Sequence, residues 1–351
     1  VNTLQQFSHS LTTIPLATGW LLNEIGECIG RQQLFTKQAP QRLKVLREHA
    51  LIESAVSSNR IEGVEVDLKR VATLIFGQPT LRDRDEEELR GYRNALNLIH
   101  TQGAALPISE KTIKHLHALI RGDIWDAGHY KNKGSDIIER YADGRVRVRF
   151  KPLPAKATPK AMARLVAGWR DALCERVAPP LVLLAAFNLD FLCSHPFRDG
   201  NGRVARLLFL LQCYYLGIEV GRYISLERLI EENKERYYET LEQSSRGWHD
   251  RNHNSWPFIN YALFILKQAY KEFERRVGQI ADARGTKTAL VLDAIARKVQ
   301  PFAVGELQRE CPSVSLDLIR RILKTQRGRG AVQCLGRGRN ALWSTHKSSR
   351  R

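Results

Sequence analysis

A histidine, an aspartate, two glycines and three arginines fall within one short stretch, His195-Pro196-Phe197-Arg198-Asp199-Gly200-Asn201-Gly202-Arg203-Val204-Ala205-Arg206. Each residue type brings its own chemistry. An imidazole ionises near neutral pH, so His195 is the candidate general base. Asp199 is an odd neighbour for arginines unless it holds a cation, and Mg²⁺ is commonly bound by one carboxylate together with phosphate oxygens. Gly200 and Gly202, flanking Asn201, let the backbone turn tightly and aim successive N–H groups at an anion. Arg203 and Arg206, three apart, share a helix face and can reach further anionic oxygens. A base, a metal ligand, an anion nest and two arginines together point to chemistry on a nucleotide phosphate.

The flanking sequence supplies the elements that would position these groups. An apolar run from Leu181 to Cys193 reads as a helix, and Pro196 disfavours helical geometry at the residue before it, so His195 falls at a helix end. A second apolar run, Val204 to Leu211, reads as a helix whose free N-terminal N–H groups and positive dipole end face the glycine loop. The expectation is helix, loop, helix.

The nine residues His195 to Arg203 match the signature HPFx[D/E]GNGR, with the second arginine three residues on, and so the chain resembles the Fic family. The resemblance implies a mainly α fold, a Fic-type helical core with a β-hairpin flap. It also implies transfer of AMP from ATP to a Ser, Thr or Tyr hydroxyl of a target protein. His195 would then take the hydroxyl proton and Asp199 would hold Mg²⁺. Gly200, Asn201 and Gly202 would cradle the phosphates, and Arg203 and Arg206 would neutralise them.

Upstream, Leu11 to Gln32 and Pro40 to Ser57 carry apolar residues at helical spacing. The second helix runs into Ser57-Ser58-Asn59-Arg60-Ile61-Glu62-Gly63, with Gly63 placed as a C-terminal glycine. Glu62 there is opposed by the helix dipole and calls for a cationic partner. Ser58-x-x-x-Glu62-Gly63 resembles the family's inhibitory motif [S/T]xxxE[G/N], which implies that the partner is Arg206 and that Glu62 restrains the site. Asp83 to His100 reads as an amphipathic helix, and Ser109 as the N-cap of Glu110 to Arg121. Gly128-His129-Tyr130-Lys131 is similar to the Gly-x-Tyr-Arg element that precedes the family's flap, with Lys131 in place of arginine.

Residues 137–141 and 145–150 flank Ala142-Asp143-Gly144, and the second segment alternates charged and apolar side chains, so a β-hairpin is expected. In the family such a flap holds the target segment by strand addition. Helices are expected over Lys160 to Val177, Ser225 to Leu241 and Trp256 to Arg276. Tyr237 and Tyr238 stand where the family has a tyrosine pair lining the adenine pocket.

The chain has 351 residues and is 43% hydrophobic, ample for packed cores. Three regions are expected: 1–100, helical with the inhibitory helix; 101–280, the Fic core; and 284–351. The longest apolar stretch, Leu181 to Phe187, is far short of the ~20 residues of a membrane helix, and the N-terminus reads as no leader, so a cytoplasmic protein is expected. Six scattered cysteines without a CxxC pair read as free thiols.

The net charge of +18 is uneven: residues 284–351 hold fifteen Lys/Arg against four Asp/Glu. That asymmetry points to an anionic partner, nucleic acid first. Within this region, 288–299, 304–310 and 315–326 read as short helices, followed by strand-like 331–335 and 341–344 around a Gly/Arg-rich tip. The order resembles a winged helix-turn-helix, which implies DNA phosphate contacts from Arg320, Arg321, Lys324, Arg337 and Arg339. The partners expected are thus a target protein, DNA and a second copy of the chain. Three rival functions stand beside AMP transfer: removal of AMP, transfer of another phosphate-containing group, and DNA-bound regulation with the Fic core as a sensor.

Overall fold

The computed structural model describes residues 2–9, 13–38, 40–134, 136–140, 144–280, 286–298, 300–312, 314–336 and 341–345. Two helices sit at its centre: α8 (Pro180–Ser194) and α9 (Asn201–Tyr215) are joined by the six residues His195 to Gly200. Both are buried along almost their whole length, so both are apolar on nearly every face. Some of the polar residues they bury are paired with one another or with neighbouring elements. Asn188 of α8 donates to Gln212 of α9 at 2.7 Å. Asp190 accepts the Trp248 indole N–H at 2.7 Å and the backbone N–H groups of Thr3 and Leu4, capping the first helix from another element.

Around this pair lie α1 (Thr3–His9), α2 (Leu16–Gln38), α3 (Pro40–Ile61), α4 (Leu68–Phe76), α5 (Arg84–Gln102), α6 (Glu110–Arg121) and α7 (Thr158–Glu175). The shell is completed by α10 (Leu226–Glu232), α11 (Lys234–Ser245) and the long α12 (Trp256–Ile280). A two-stranded antiparallel hairpin, β1 (Ile137–Arg140) and β2 (Val146–Phe150), pairs Ile138 with Val148 and Arg140 with Val146. The chain is mainly helical with small sheets.

The sequence reading and the structure differ at several element ends. α3 runs to Ile61 and closes at Gly63 as expected, whereas α2 extends to Gln38, beyond the expected Gln32. The helix expected over 225–241 is two helices, broken at Asn233, whose backbone leaves helical geometry while its side chain donates to the Leu229 carbonyl at 2.9 Å. α1 and α4 were not expected from the sequence.

After α12 the chain forms α13 (Thr286–Ala296), β3 (Phe302–Ala303), α14 (Val304–Glu310), α15 (Leu316–Gly328), β4 (Val332–Cys334) and β5 (Leu342–Thr345). The strands make an antiparallel sheet of order β3-β5-β4. A second hydrophobic cluster, including Val291, Phe302, Leu307, Ile319 and Leu323, is separate from the main core. Ion pairs from Arg275 to Asp293 and from Glu272 to Arg297 tie α13 to α12.

Candidate active site

The loop between α8 and α9 is held by its own side chains. His195 caps α8 with a left-handed backbone, φ 46° and ψ 62°, and its N–H reaches the Phe191 carbonyl at 2.9 Å. Phe197 is fully buried and stacks face to face on His117 of α6, ring centroids 3.8 Å apart. Asn201 ties the loop shut, accepting the Phe197 N–H at 2.9 Å and donating to the Phe197 carbonyl at 2.8 Å. His117 accepts the Gly128 N–H through Nδ1 at 2.9 Å, so its Nε2 carries the proton and donates to the Asp199 carbonyl at 3.0 Å. Burial holds its pKa at about 4, so the ring is neutral.

His195, Gly202, Tyr237, Tyr238, Glu62 and Ile138 share a cavity of about 370 Å³. The stretch singled out in the sequence, the tyrosine pair of α11, the end of α3 and the hairpin therefore meet at one place. Tyr237 is buried and Tyr238 half-buried, with ring centroids 5.1 Å apart, and the Arg149 guanidinium lies 5.4 Å from the centre of the Tyr238 ring. Burial first, and the Lys131 ammonium second, depress the His195 pKa from 6.5 to about 4, leaving a neutral imidazole.

The two arginines go to different places. Arg203 is 2% exposed and turned away from the cavity wall, donating to Glu88 of α5 at 2.5 Å and to Asn59 of α3 at 3.3 Å. Arg206 is bound by α3: its Nε donates to Ser58 Oγ at 2.8 Å, and its Nη2 to the Ser58 carbonyl at 3.0 Å and to Glu62 Oε1 at 2.7 Å. Its Nη1 is buried without a hydrogen-bond partner among the described residues. Burial works against the Arg206 charge, and the groups around it, Glu62 foremost, together outweigh burial and raise its pKa.

Glu62 reaches this point because α3 ends one residue earlier. Gly63, φ 84°, takes the left-handed conformation that closes the helix, and the Val64 N–H bonds back to the Asn59 carbonyl at 3.0 Å. Ser58, Glu62 and Gly63 are thus the wall, the arm and the hinge of one helix end.

Asp199 accepts the Gly200 N–H at 2.6 Å and pairs with Arg121 of α6 and, at 3.7 Å, with Arg203. Burial works to raise its carboxyl, and the arginines outweigh it and hold it below the usual range. Its side chain is still 57% exposed, so an ionised carboxylate edge remains accessible. Among the described residues no group of three or more His, Cys, Asp or Glu side chains is placed to hold a metal ion. A single accessible carboxylate holds Mg²⁺ only where the other ligands come from phosphate and water.

Glu88, Arg121 and His117 were not identified from the sequence. Each lies on an ordinary amphipathic helix, and each meets the loop only through pairing across 78 residues or more. In the C-terminal region Arg320, Arg321 and Lys324 are exposed on α15, and Arg337 and Arg339 lie outside the described residues. No helix among the described residues is long and apolar enough to cross a membrane.

Residues 107–213 match the model of the Fic/DOC family. No curated protein matches the chain. Among solved structures, the chain is similar to a Fic family protein from Desulfovibrio desulfuricans G20, with 25% identity, a TM-score of 0.60, and coverage of 97% of this chain and 99% of that one. A Fic domain containing signaling protein from Bacteroides thetaiotaomicron VPI-5482 gives 24% identity and a TM-score of 0.57, over 71% of this chain and 95% of that one. Fic-1 of C. elegans gives 18% identity and 0.56, over 74% and 73%, a likeness of fold alone. His195, Asp199 and Arg206 thus lie within the matched segment, and over residues 107–213 the chain carries a Fic/DOC family domain.

Proposed function

We propose that the protein is an adenylyltransferase that moves AMP from ATP to a hydroxyl side chain of a target protein, and that Glu62 holds it in check. The observation that carries this reading is the shared cavity in which His195, the first turn of α9, the tyrosine pair and Glu62 meet. The triphosphate sits on the free N–H groups of Asn201, Gly202 and Arg203 at the start of α9, where the helix dipole favours negative charge. Arg206, through its open Nη1 and after Glu62 withdraws, neutralises the terminal phosphate. The adenine lies against Tyr237 and Tyr238, whose faces suit a planar base. Buried Arg203 acts from behind the loop, fixing α9 against α5.

His195 takes the proton of the target hydroxyl, the oxygen forms a bond to the α-phosphorus, and the bond to the bridging oxygen breaks with pyrophosphate leaving. The phosphate charge raises the His195 pKa from its depressed value toward neutrality, where a base is most effective. Asp199 would hold Mg²⁺, which when bound would supply positive charge to the phosphates. The β1–β2 hairpin is the flap, and Ile138, Val146 and Val148 on one exposed face offer it an apolar surface for the target segment.

Intact-mass analysis of the protein after incubation with ATP, UTP, CTP and CDP-choline tests this directly. The expected result is the mass of AMP added from ATP and none in His195→Ala. Addition of another group reassigns the donor, and release of AMP from a modified target, without addition, reverses the direction of the reaction.

The C-terminal region supports a second, compatible reading. The order of its helices and strands supports reading it as a winged helix-turn-helix, and α15 presents Arg320, Arg321, Lys324 and Arg327 to solvent, with Asp317 as its one acid. We propose that this face binds double-stranded DNA by phosphate contact.

A further inference from the structure

The backbone at His195 is held in a conformation that L-residues other than glycine rarely adopt. Something outside the loop must over-determine it. The carbonyls on either side of His195 both accept hydrogen bonds from one residue: the Lys131 N–H reaches the Pro196 carbonyl at 2.8 Å, and the Lys131 ammonium reaches the Ser194 carbonyl at 3.3 Å. Lys131 is 6% exposed, and no carboxylate lies within ion-pair distance of it among the described residues. It follows Tyr130, whose ring packs beside Phe197 with centroids 5.5 Å apart and whose hydroxyl donates to Glu110 at 2.9 Å. The Lys131 segment is therefore anchored to α6 on one side and to the catalytic loop on the other.

We propose that Lys131 is a positioning residue for His195: its main chain and its ammonium clamp the turn that holds the imidazole at the cavity wall, and its charge disfavours a second charge on the ring. The inference rests on the reading of His195 as the base. A buried ammonium donating to the Ser194 carbonyl costs desolvation that nothing in the core's packing returns, and burial alone lowers the Lys131 pKa to about 8. The charged groups that face the His195 ring are Lys131 from the loop after α6, Glu62 from α3 and Asp199 from its own loop. Arg149 of β2 and Glu242 of α11 line the same cavity. Lys131 is the cation that opposes protonation of the ring, and Glu62 and Asp199 favour it. Displacing Glu62 therefore lowers the ring's proton affinity as it opens Arg206, and the incoming triphosphate restores it.

The test is a titration of the histidine rings in the full chain by two-dimensional ¹H–¹⁵N NMR, with His195→Gln assigning the His195 signals. In wild type and Lys131→Arg the His195 midpoint is expected well below 6.5, and in Lys131→Met about one unit higher than in wild type. Self-modification by Lys131→Met is expected to lose about ten- to hundredfold in kcat with the KM for ATP unchanged, and Lys131→Arg to recover most of it. An unshifted His195 midpoint in Lys131→Met overturns the assignment, as does a kcat equal to that of wild type. Should Lys131→Met fail to fold, Lys131→Gln supplies the same comparison. If no form transfers nucleotide, the transferase reading fails while the titration still decides the role of Lys131.

Discussion

Glu62 Oε1 accepts a hydrogen bond from Arg206 Nη2 at 2.7 Å, and the same oxygen occupies the space that a side chain on Gly202 would need. Glu62 thus lies across the first turn of α9 and on the arginine behind it at once. A phosphate bound to both must displace it, because two anions cannot share one guanidinium edge and one set of N–H groups without strong repulsion. A larger residue at Gly202 would push the Glu62 carboxylate aside, so glycine there is what lets Glu62 lie across this turn.

Glu62→Gly is expected to raise self-modification with labelled ATP by about tenfold. A charge-assisted hydrogen bond contributes ~1.5–3 kcal/mol, and the 30% exposure of Glu62 places it at the lower end. An unchanged rate removes Glu62 from the role of inhibitor.

Arg203→Ala is expected to unfold more readily than Arg206→Ala. Removing Arg203 strips Glu88, 7% exposed, of a buried partner, and such truncations cost ~3–5 kcal/mol. Glu62, by contrast, lines the cavity and can hydrate when Arg206 is lost. Urea midpoints for the two variants decide the matter, and equal midpoints contradict it.

Acid should weaken the fold before the carboxylates titrate. His100 and His117 are held at about 4 against 6.5 when unfolded, chiefly by burial. Between those values the unfolded chain binds protons that the native chain does not, so stability is present above pH 6.5 and is lost as pH falls toward 4. His100 accepts or donates one bond, to Tyr214 at 2.8 Å, and His100→Gln is expected to flatten this slope in urea denaturation at pH 7 and pH 5.

Binding of duplex DNA is expected to weaken steeply with salt, and Arg320→Ala with Arg321→Ala to reduce the slope of log K against log salt by about two. Fluorescence anisotropy across a salt series reads this out. A slope unaffected by both substitutions moves the contact surface off α15.

Much of the site was legible because its determinants are local. The order His195 to Arg206 dictated helix, loop and helix through proline and glycine backbone preferences, and Ser109 and Arg121 bounded α6 where the structure has them. The glycine turn before α9 and the turn at Gly63 follow from the same short-range rules. The break at Asn233 was missed because it depends on what a side chain finds to bond with. α1 escaped notice because its cap, Asp190, comes from α8.

By itself, then, the sequence determined which residues could do chemistry and which elements would carry them, since backbone geometry is set within a few residues. Only the tertiary structure decided what each charge does. Arg203 and Arg206 are three residues apart and chemically alike, yet one is sealed against Glu88 and the other is held at the cavity by Ser58 and Glu62. Their partners lie more than a hundred residues away, and the pairing is chosen by which helix packs against each face of α9.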